Sequence, residues 1–405
     1  MHDFSAALAH PDQRKRRIAE SLSQQAETVL ATARSIHAEP ETSFQEFNSA
    51  KKLAAVLAEA GFRVEAPFAG LDTAFRATAG SGSLVVTLCL EYDSLEGIGH
   101  ACGHNIIAGA SLGAGLALRG LVDELDITLQ LIGTPAEEHG AGKQIMLDNG
   151  AFVGTHLAMM THPGPDVGTY DVLGSTSQAV GRFRTTFHGR AAHAAGFPHR
   201  GLNASDAAII AQVAAGMLRQ QVEDGHRFAL ITREAGVETN IIPERAVVDW
   251  ECRAVTLEGW TTLRERIVAC LEAGAHAAQC TMDTVEIEPL YEPLLQNTTL
   301  GTAWNEAMSV LGRPLNGSLG VNAASTDMGN VSQRFPSLHP FVGVSGAHES
   351  LHSAAFTQAA DTDAAYDLMF DSALAMAWIA EDVASNPHRR QQILADAALL
   401  QERNL

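Results

Sequence analysis

Four short segments carry histidine, cysteine and carboxylate at spacings that suit metal chemistry. Gly99-His100-Ala101-Cys102-Gly103-His104-Asn105 places a thiol two residues from an imidazole. Pro135-Ala136-Glu137-Glu138-His139 offers adjacent carboxylates, and Thr161-His162-Pro163 and Gly346-Ala347-His348-Glu349-Ser350-Leu351-His352 add imidazoles. Divalent first-row ions take imidazole, thiolate and carboxylate donors, and two ions sharing a donor can activate a water near neutral pH. Cys102, His104, Glu138, His162 and His352 make such a donor set. Glu137 and Glu138 then need different tasks. One binds metal, while its unligated neighbour accepts a proton from the water and returns it to a leaving amine. The plainer use of the pair is a charged helix start.

The elements that must position these residues are legible as changes of hydrophobic period. Residues 84–90, 127–132, 157–160 and 341–344 are short continuous apolar runs, each leading into one of the four segments. Such runs predict strands buried on both faces of a mainly parallel sheet, with helices such as 106–118 as crossovers. Sites in open parallel sheets form beyond the carboxyl ends of the strands, so the four runs are expected to deliver their side chains to one rim. Helical patterns at 12–37 and 44–61, separated by Pro40, precede this α/β core.

From about Val180 the pattern becomes alternating. Phe183, Thr185 and Phe187 interleave with Arg182, Arg184, Thr186 and His188, the mark of a strand with one wet face. A helix at 203–221, alternation at 247–253, a helix at 258–278 and a strand near 285–288 complete an α+β unit. Because the buried-strand texture returns only near Phe341, residues 179–291 are expected to be an insertion into an α/β domain made of 1–178 and 292–405.

Composition narrows the function. The chain has 405 residues, 46% of them apolar, and 27 Lys and Arg against 47 Asp and Glu, a formal charge of −20. That balance disfavours a general nucleic-acid or anionic-membrane binder. The start runs into the charged stretch 14–17 without an apolar segment, and no long uncharged stretch follows, so a cytoplasmic, non-membrane protein is expected. Five cysteines are an odd and sparse number, which argues against a disulfide framework. Gly109, Gly113 and Gly115 lack both the Walker lysine and the dinucleotide pattern, and predict close helix packing.

Several motifs in one order resemble the M20 metallopeptidase and amidohydrolase family. They are Glu91-Tyr92-Asp93-Ser94-Leu95 followed by His-Ala-Cys-Gly-His-Asn at 100–105, Thr-Pro-Ala-Glu-Glu at 134–138, Gly-Arg-Ala-Ala-His-Ala-Ala at 189–195, Asn-Ile-Ile-Pro at 240–243 and Ser-Thr-Asp-Met-Gly-Asn at 325–330. Within the family, they look most like the branch of aminobenzoyl-glutamate hydrolases, amino-acid amidohydrolases and basic-dipeptide dipeptidases. The resemblance implies a zinc-peptidase-like catalytic domain with two divalent ions; a thiolate donor favours the softer zinc, with manganese or cobalt as alternatives. It also implies an inserted lid domain that forms a homodimer, and hydrolysis of an amide next to a free carboxylate in a small acyl-amino-acid or dipeptide substrate. By position, Cys102, His104, Glu138, His162 and His352 become ligands and Glu137 the general base. His193 becomes the donor that stabilises the oxyanion in the partner subunit's site, and Asn240 and Arg253 hold substrate carboxylate or backbone. The family's usual site begins with His-x-Asp. This chain has Glu91-Tyr92-Asp93, so the first ligand is missing and Cys102 replaces a bridging carboxylate, while Asp93 remains as an acceptor for a ligand imidazole.

Two rival chemistries are written in the same segments. His348-Glu349-Ser350-Leu351-His352 satisfies the zincin pattern H-E-x-x-H, which needs a helix to align both histidines. Gly343, Ser345 and Gly346 just upstream, and Ser353 as an N-cap for a helix from Ala354, predict a loop there instead. A thiol amidase would use Cys102 as nucleophile with His104 or His100 as base.

Overall fold

Asp12 begins the first long helix. Its side chain accepts from the backbone N–H groups of Arg14 and Lys15, and the capped helix Gln13–Ala38 buries Ile18, Leu22, Val29, Ala33 and Ile36. Every residue of helix His104–Leu118 is buried, and it packs against Gln13–Ala38 and Asp363–Ser385. The glycines make that approach fit. A Cβ at Gly113 would come within 3.2 Å of Leu22 and 3.1 Å of Ala373, and one at Gly109 within 3.1 Å of Ala33. The computed structural model describes residues 2–166, 168–313, 315–322 and 324–403.

The chain divides into two units. The first comprises Met1–Thr176, Leu294–Asn322 and Thr326–Leu405. Its main sheet has six strands in the order Arg63–Glu65, Phe75–Ala79, Ile127–Gly133, Leu84–Leu90, Leu157–Met159, Ser337–Leu338. The four strands from Ile127–Gly133 to Ser337–Leu338 pair in parallel, and the other pairings are antiparallel. Leu84–Leu90 and Ile127–Gly133 each bury all residues but the second, as expected of strands covered on both faces.

The expectation of four strand ends on one sheet needs a correction. Phe341–Gly343 belongs to a separate four-stranded sheet, ordered Leu315–Ser318, Thr169–Asp171, Phe341–Gly343, His162–Gly164. His162 is itself in a strand, paired in parallel with Phe341, rather than in the loop expected after the 157–160 run. Runs of three residues fit either sheet equally well, so their hydrophobicity could not assign them.

The second unit is Ser177–Pro293 with Ala323–Ser325. Its antiparallel sheet runs Thr281–Tyr291, Ala179–His188, Arg245–Ala254, Arg227–Glu234. Phe183, Phe187 and Trp250 pack with helices Ala204–Leu218 and Leu257–Ala277 in one core. On the other face Arg184 and His188 are exposed, while Thr186 and Asp249 are buried, and Arg184 forks onto Asp249 at 2.7 and 2.9 Å. Among the described residues, no helix is long and apolar enough to cross a membrane.

Candidate metal centre

Gly103 makes the turn from loop to helix. Its φ of +73° is the left-handed region, and a Cβ there would meet Pro163 at 2.7 Å, so glycine is required both for conformation and for space. The turn sets His104 at the first position of its helix, with Cys102 buried just before it. His104 Nδ1 donates to Asp93 Oδ1 at 3.0 Å, and both side chains are fully buried. The other Asp93 oxygen accepts from the backbone N–H of Glu138 at 2.9 Å and from Ser43 Oγ at 2.9 Å. A carboxylate on Nδ1 leaves Nε2 as the atom that faces the site.

Glu137 and Glu138 lie in a bend well before helix Gly142–Asp148, so they are not a helix start. Ala136, just ahead of them, has a φ of +62°. Its strained backbone is held by Glu46, whose Oε1 accepts the Ala136 N–H at 2.9 Å. His162 Nδ1 donates to its neighbour's carbonyl, Pro163 O, at 2.6 Å, and the Phe341 ring stacks on the imidazole at 5.4 Å. Burial and the nearby His104 push the His162 pKa down to about 3, which keeps the ring neutral and its lone pair available.

The donor atoms converge. Cys102, His104 and His162 offer ligand atoms within 4.8 Å of one another, and so do Cys102, Glu138 and His352. The two triads share Cys102. His104 Nε2 stands 3.9 Å from Glu138 Oε1 and 3.9 Å from Glu137 Oε2, and His352 Nε2 stands 3.5 Å from Glu138 Oε2. Donors at about 2.1 Å from a tetrahedral ion lie about 3.4 Å apart, close to the 3.5 Å between His352 and Glu138 of the second triad. His104 Nε2 and Glu138 Oε1 are buried without a hydrogen-bond partner, a costly arrangement that a cation relieves. The residues therefore fit divalent metal.

The same surroundings tell against the rivals. Burial, with Glu138 and Glu137 nearby, pushes the Cys102 thiol up, whereas a thiol nucleophile needs its pKa lowered. Residues 348–352 are irregular, helix Ala354–Ala359 begins only after the Ser353 cap, and His352 has a φ of +60°. The zincin pattern thus lacks its helix, and His348 belongs to none of the donor groups found among the described residues. His100 is buried with Nε2 at 3.1 Å from Ile36 O, and His139 is exposed.

Sequence reasoning missed a second buried group. Glu91, Glu137 and Asp327 also bring oxygens within 4.8 Å of one another. Lys143 Nζ donates to Asp327 Oδ1 at 2.6 Å and to Glu91 Oε1. Burial opposes the lysine charge, but Asp327 and Glu91 outweigh it and raise the Lys143 pKa. Burial first, then Glu91, Glu138 and Asp327, raise that of Glu137 against the pull of His104. Asp327 stood in the quoted Ser-Thr-Asp motif, but nothing local to Lys143 marked it as buried.

Within the second unit, His193 bridges to Ile241, and the Ala194 N–H donates to Asn240 O at 2.9 Å, so His193 and Asn240 are neighbours. His193 Nδ1 accepts from the N–H groups of Ala195 at 3.2 Å and Gly196 at 3.0 Å. With Nδ1 accepting, Nε2 is left as the ring's donor. Arg253 is elsewhere. It pairs with Val180 near one end of strand Arg245–Ala254, while Arg245 pairs with His188 at the other, about 26 Å away at 3.3 Å per residue. Its Nε donates to Glu251 Oε1 at 3.0 Å.

Comparison with known proteins decides the family. The chain is 34% identical over 402 residues to the Xaa-Arg dipeptidase of Mus musculus, covering 92% of this chain and 89% of that protein. A peptidase dimerisation domain of the M20 type matches residues 177–279. The chain belongs to the M20 family. This M20 protein is also 30% identical over 296 residues to one of the p-aminobenzoyl-glutamate hydrolase polypeptides of Escherichia coli (strain K12), covering 68% of this chain and 60% of that one. Its fold is shared with a Bacillus subtilis structure described as a dinuclear metal binding peptidase of the M20 family, with a TM-score of 0.68, 21% identity, and 90% and 99% coverage of the two chains. As an M20 metallohydrolase, it combines an α/β catalytic domain, a separate dimerisation domain and a buried His, Glu, Asp and Cys cluster able to coordinate metal.

Proposed function

We propose that this M20 protein hydrolyses the amide bond of a dipeptide or N-acyl amino acid beside a free carboxylate, using two divalent ions. The observation that carries this reading is the pair of donor triads sharing Cys102, with Glu137 beside them. Cys102, His104, Glu138, His162 and His352 would hold the ions, zinc first because a thiolate favours softer metals, with manganese or cobalt as alternatives. Bound there, the ions supply Lewis acidity toward water and the scissile carbonyl.

The chain's own residues do the rest. Glu137 accepts a proton from the attacking water and returns it to the leaving amine. His193 offers Nε2–H to the developing oxyanion, as the backbone donors on its Nδ1 support. Asn240 and Arg253 hold the substrate carboxylate or backbone. Because Arg253 lies at one end of strand Arg245–Ala254 and His193 bridges to Ile241, outside the sheet and ahead of that strand's other end, their joint service at one site favours contributions from two subunits. Helix Ala204–Leu218 exposes Ile209, Val213 and Met217 on one face, which supports a homodimer through this unit. The five unpaired cysteines support a reducing compartment such as the cytoplasm.

Xaa-Arg dipeptides and aminobenzoyl-glutamate, for which the relatives are named, come first in the substrate panel. Exhaustive chelation should abolish hydrolysis of every active substrate, and zinc, manganese or cobalt should restore it. Unchanged turnover in protein verified as metal-free would overturn the two-ion reading and favour the thiol mechanism.

A further inference from the structure

Beside the Cys and His donors lies a group of charges that the proposed reaction does not use. Glu91, Lys143 and Asp327 have no side-chain exposure. Lys143, in helix Gly142–Asp148, joins that helix to two loops: its Nζ donates to Glu91 Oε1 and, at 2.6 Å, to Asp327 Oδ1, while its backbone N–H donates to Asp327 Oδ2 at 2.8 Å. Glu137 shares the group, since its oxygen lies within 4.8 Å of those of Glu91 and Asp327. Glu91 Oε2 is buried with no hydrogen-bond partner, and stands 3.7 Å from His104 Nε2.

Three carboxylates gathered out of water are the donor set of a hard divalent cation. An ammonium satisfies the same oxygens with N–H donors and a single positive charge. It also repels a second cation from the same space. We propose that Lys143 is the resident cation of this carboxylate group, and that it keeps a divalent ion out. The consequence falls on Glu137. Were a further ion ligated by Glu91, Asp327 and Glu137, that last carboxylate would share its charge with the metal and become a poorer proton acceptor. Lys143 is thus a positioning residue that acts through Glu137. This consequence rests on the two-ion reading, whereas the exclusion of an ion by Lys143 does not.

The test counts ions rather than turnover. Wild type, Lys143→Met and the uncharged variant Lys143→Met/Glu91→Gln/Asp327→Asn are stripped by chelator and equilibrated with Mn2+. Bound metal per chain is then measured after gel filtration. Lys143→Met should hold about one ion per chain more than wild type, and the uncharged variant should not. Equal counts for Lys143→Met and wild type, or the same gain in the uncharged variant, would overturn the proposal. Failure of the two-ion reading would show separately, as a wild type that binds fewer than two ions whatever the difference between variants. Should Lys143→Met unfold when stripped, refolding is compared in Mn2+ and in chelator: recovery in Mn2+ alone supports the proposal, and no recovery in Mn2+ overturns it.

Discussion

Asp93 holds His104 through a 3.0 Å hydrogen bond between two fully buried side chains, and with its other oxygen it holds the backbone of Glu138. One carboxylate therefore orients donors from two loops. Asp93→Asn leaves an amide that cannot accept at both oxygens, so one of these bonds must fail. Metal affinity should fall about 10- to 100-fold, the usual cost of losing a partner behind a ligand imidazole. Competition with a chromophoric chelator measures it, and unchanged affinity would show that His104 needs no such support.

The adjacent glutamates should separate by phenotype. Glu137→Gln should keep bound metal while lowering turnover about a hundredfold or more, as expected for loss of a general base. Glu138→Gln should instead lose metal. Metal analysis beside steady-state kinetics distinguishes them, and reversed phenotypes would exchange the two roles.

Glu46 should make stability depend on pH. Burial, and then the charge of Asp93, push its pKa from 4.5 up to about 7, against hydrogen bonds from Thr73 Oγ1 and the Ala136 N–H. Because the folded value lies above the unfolded one, the native state binds more protons between them, and stability falls as pH rises through that window. Relative to Glu46→Gln, wild type should lose about 2–3 kcal/mol more between pH 5 and 8. Urea unfolding at several pH values reads the difference. Parallel curves for the two proteins would mean that Glu46 is ionised at little cost.

His193 is open to a complementation test. Glu137→Gln and His193→Ala, each inactive, are mixed under conditions that exchange subunits. If His193 serves the partner's site, a mixed dimer contains one site with both groups and one with neither. Random exchange makes about half of the dimers mixed, so activity should return to about a quarter of wild type. Demonstrated exchange without recovered activity would remove His193 from that role.

By itself, the sequence determined which residue types follow the apolar runs. Apolar runs ending in His, Cys and Glu marked the main strands, and the 99–105 segment carried Cys102 and His104 in a spacing that few other uses require. The alternation at 182–188 separated the second unit from the first for the same local reason: period and residue type are expressed within a few positions.

Tertiary structure alone decided what those positions could not express. Whether 341–343 joined the main sheet or a small second one depended on its pairing with His162, far away in the chain. Lys143 reads as a surface charge in isolation, and becomes a buried cation only because Glu91 and Asp327 arrive from 52 and 184 residues away. A charge can leave water only when its partners are delivered to it. That delivery is a property of the packed chain, and no local pattern records it.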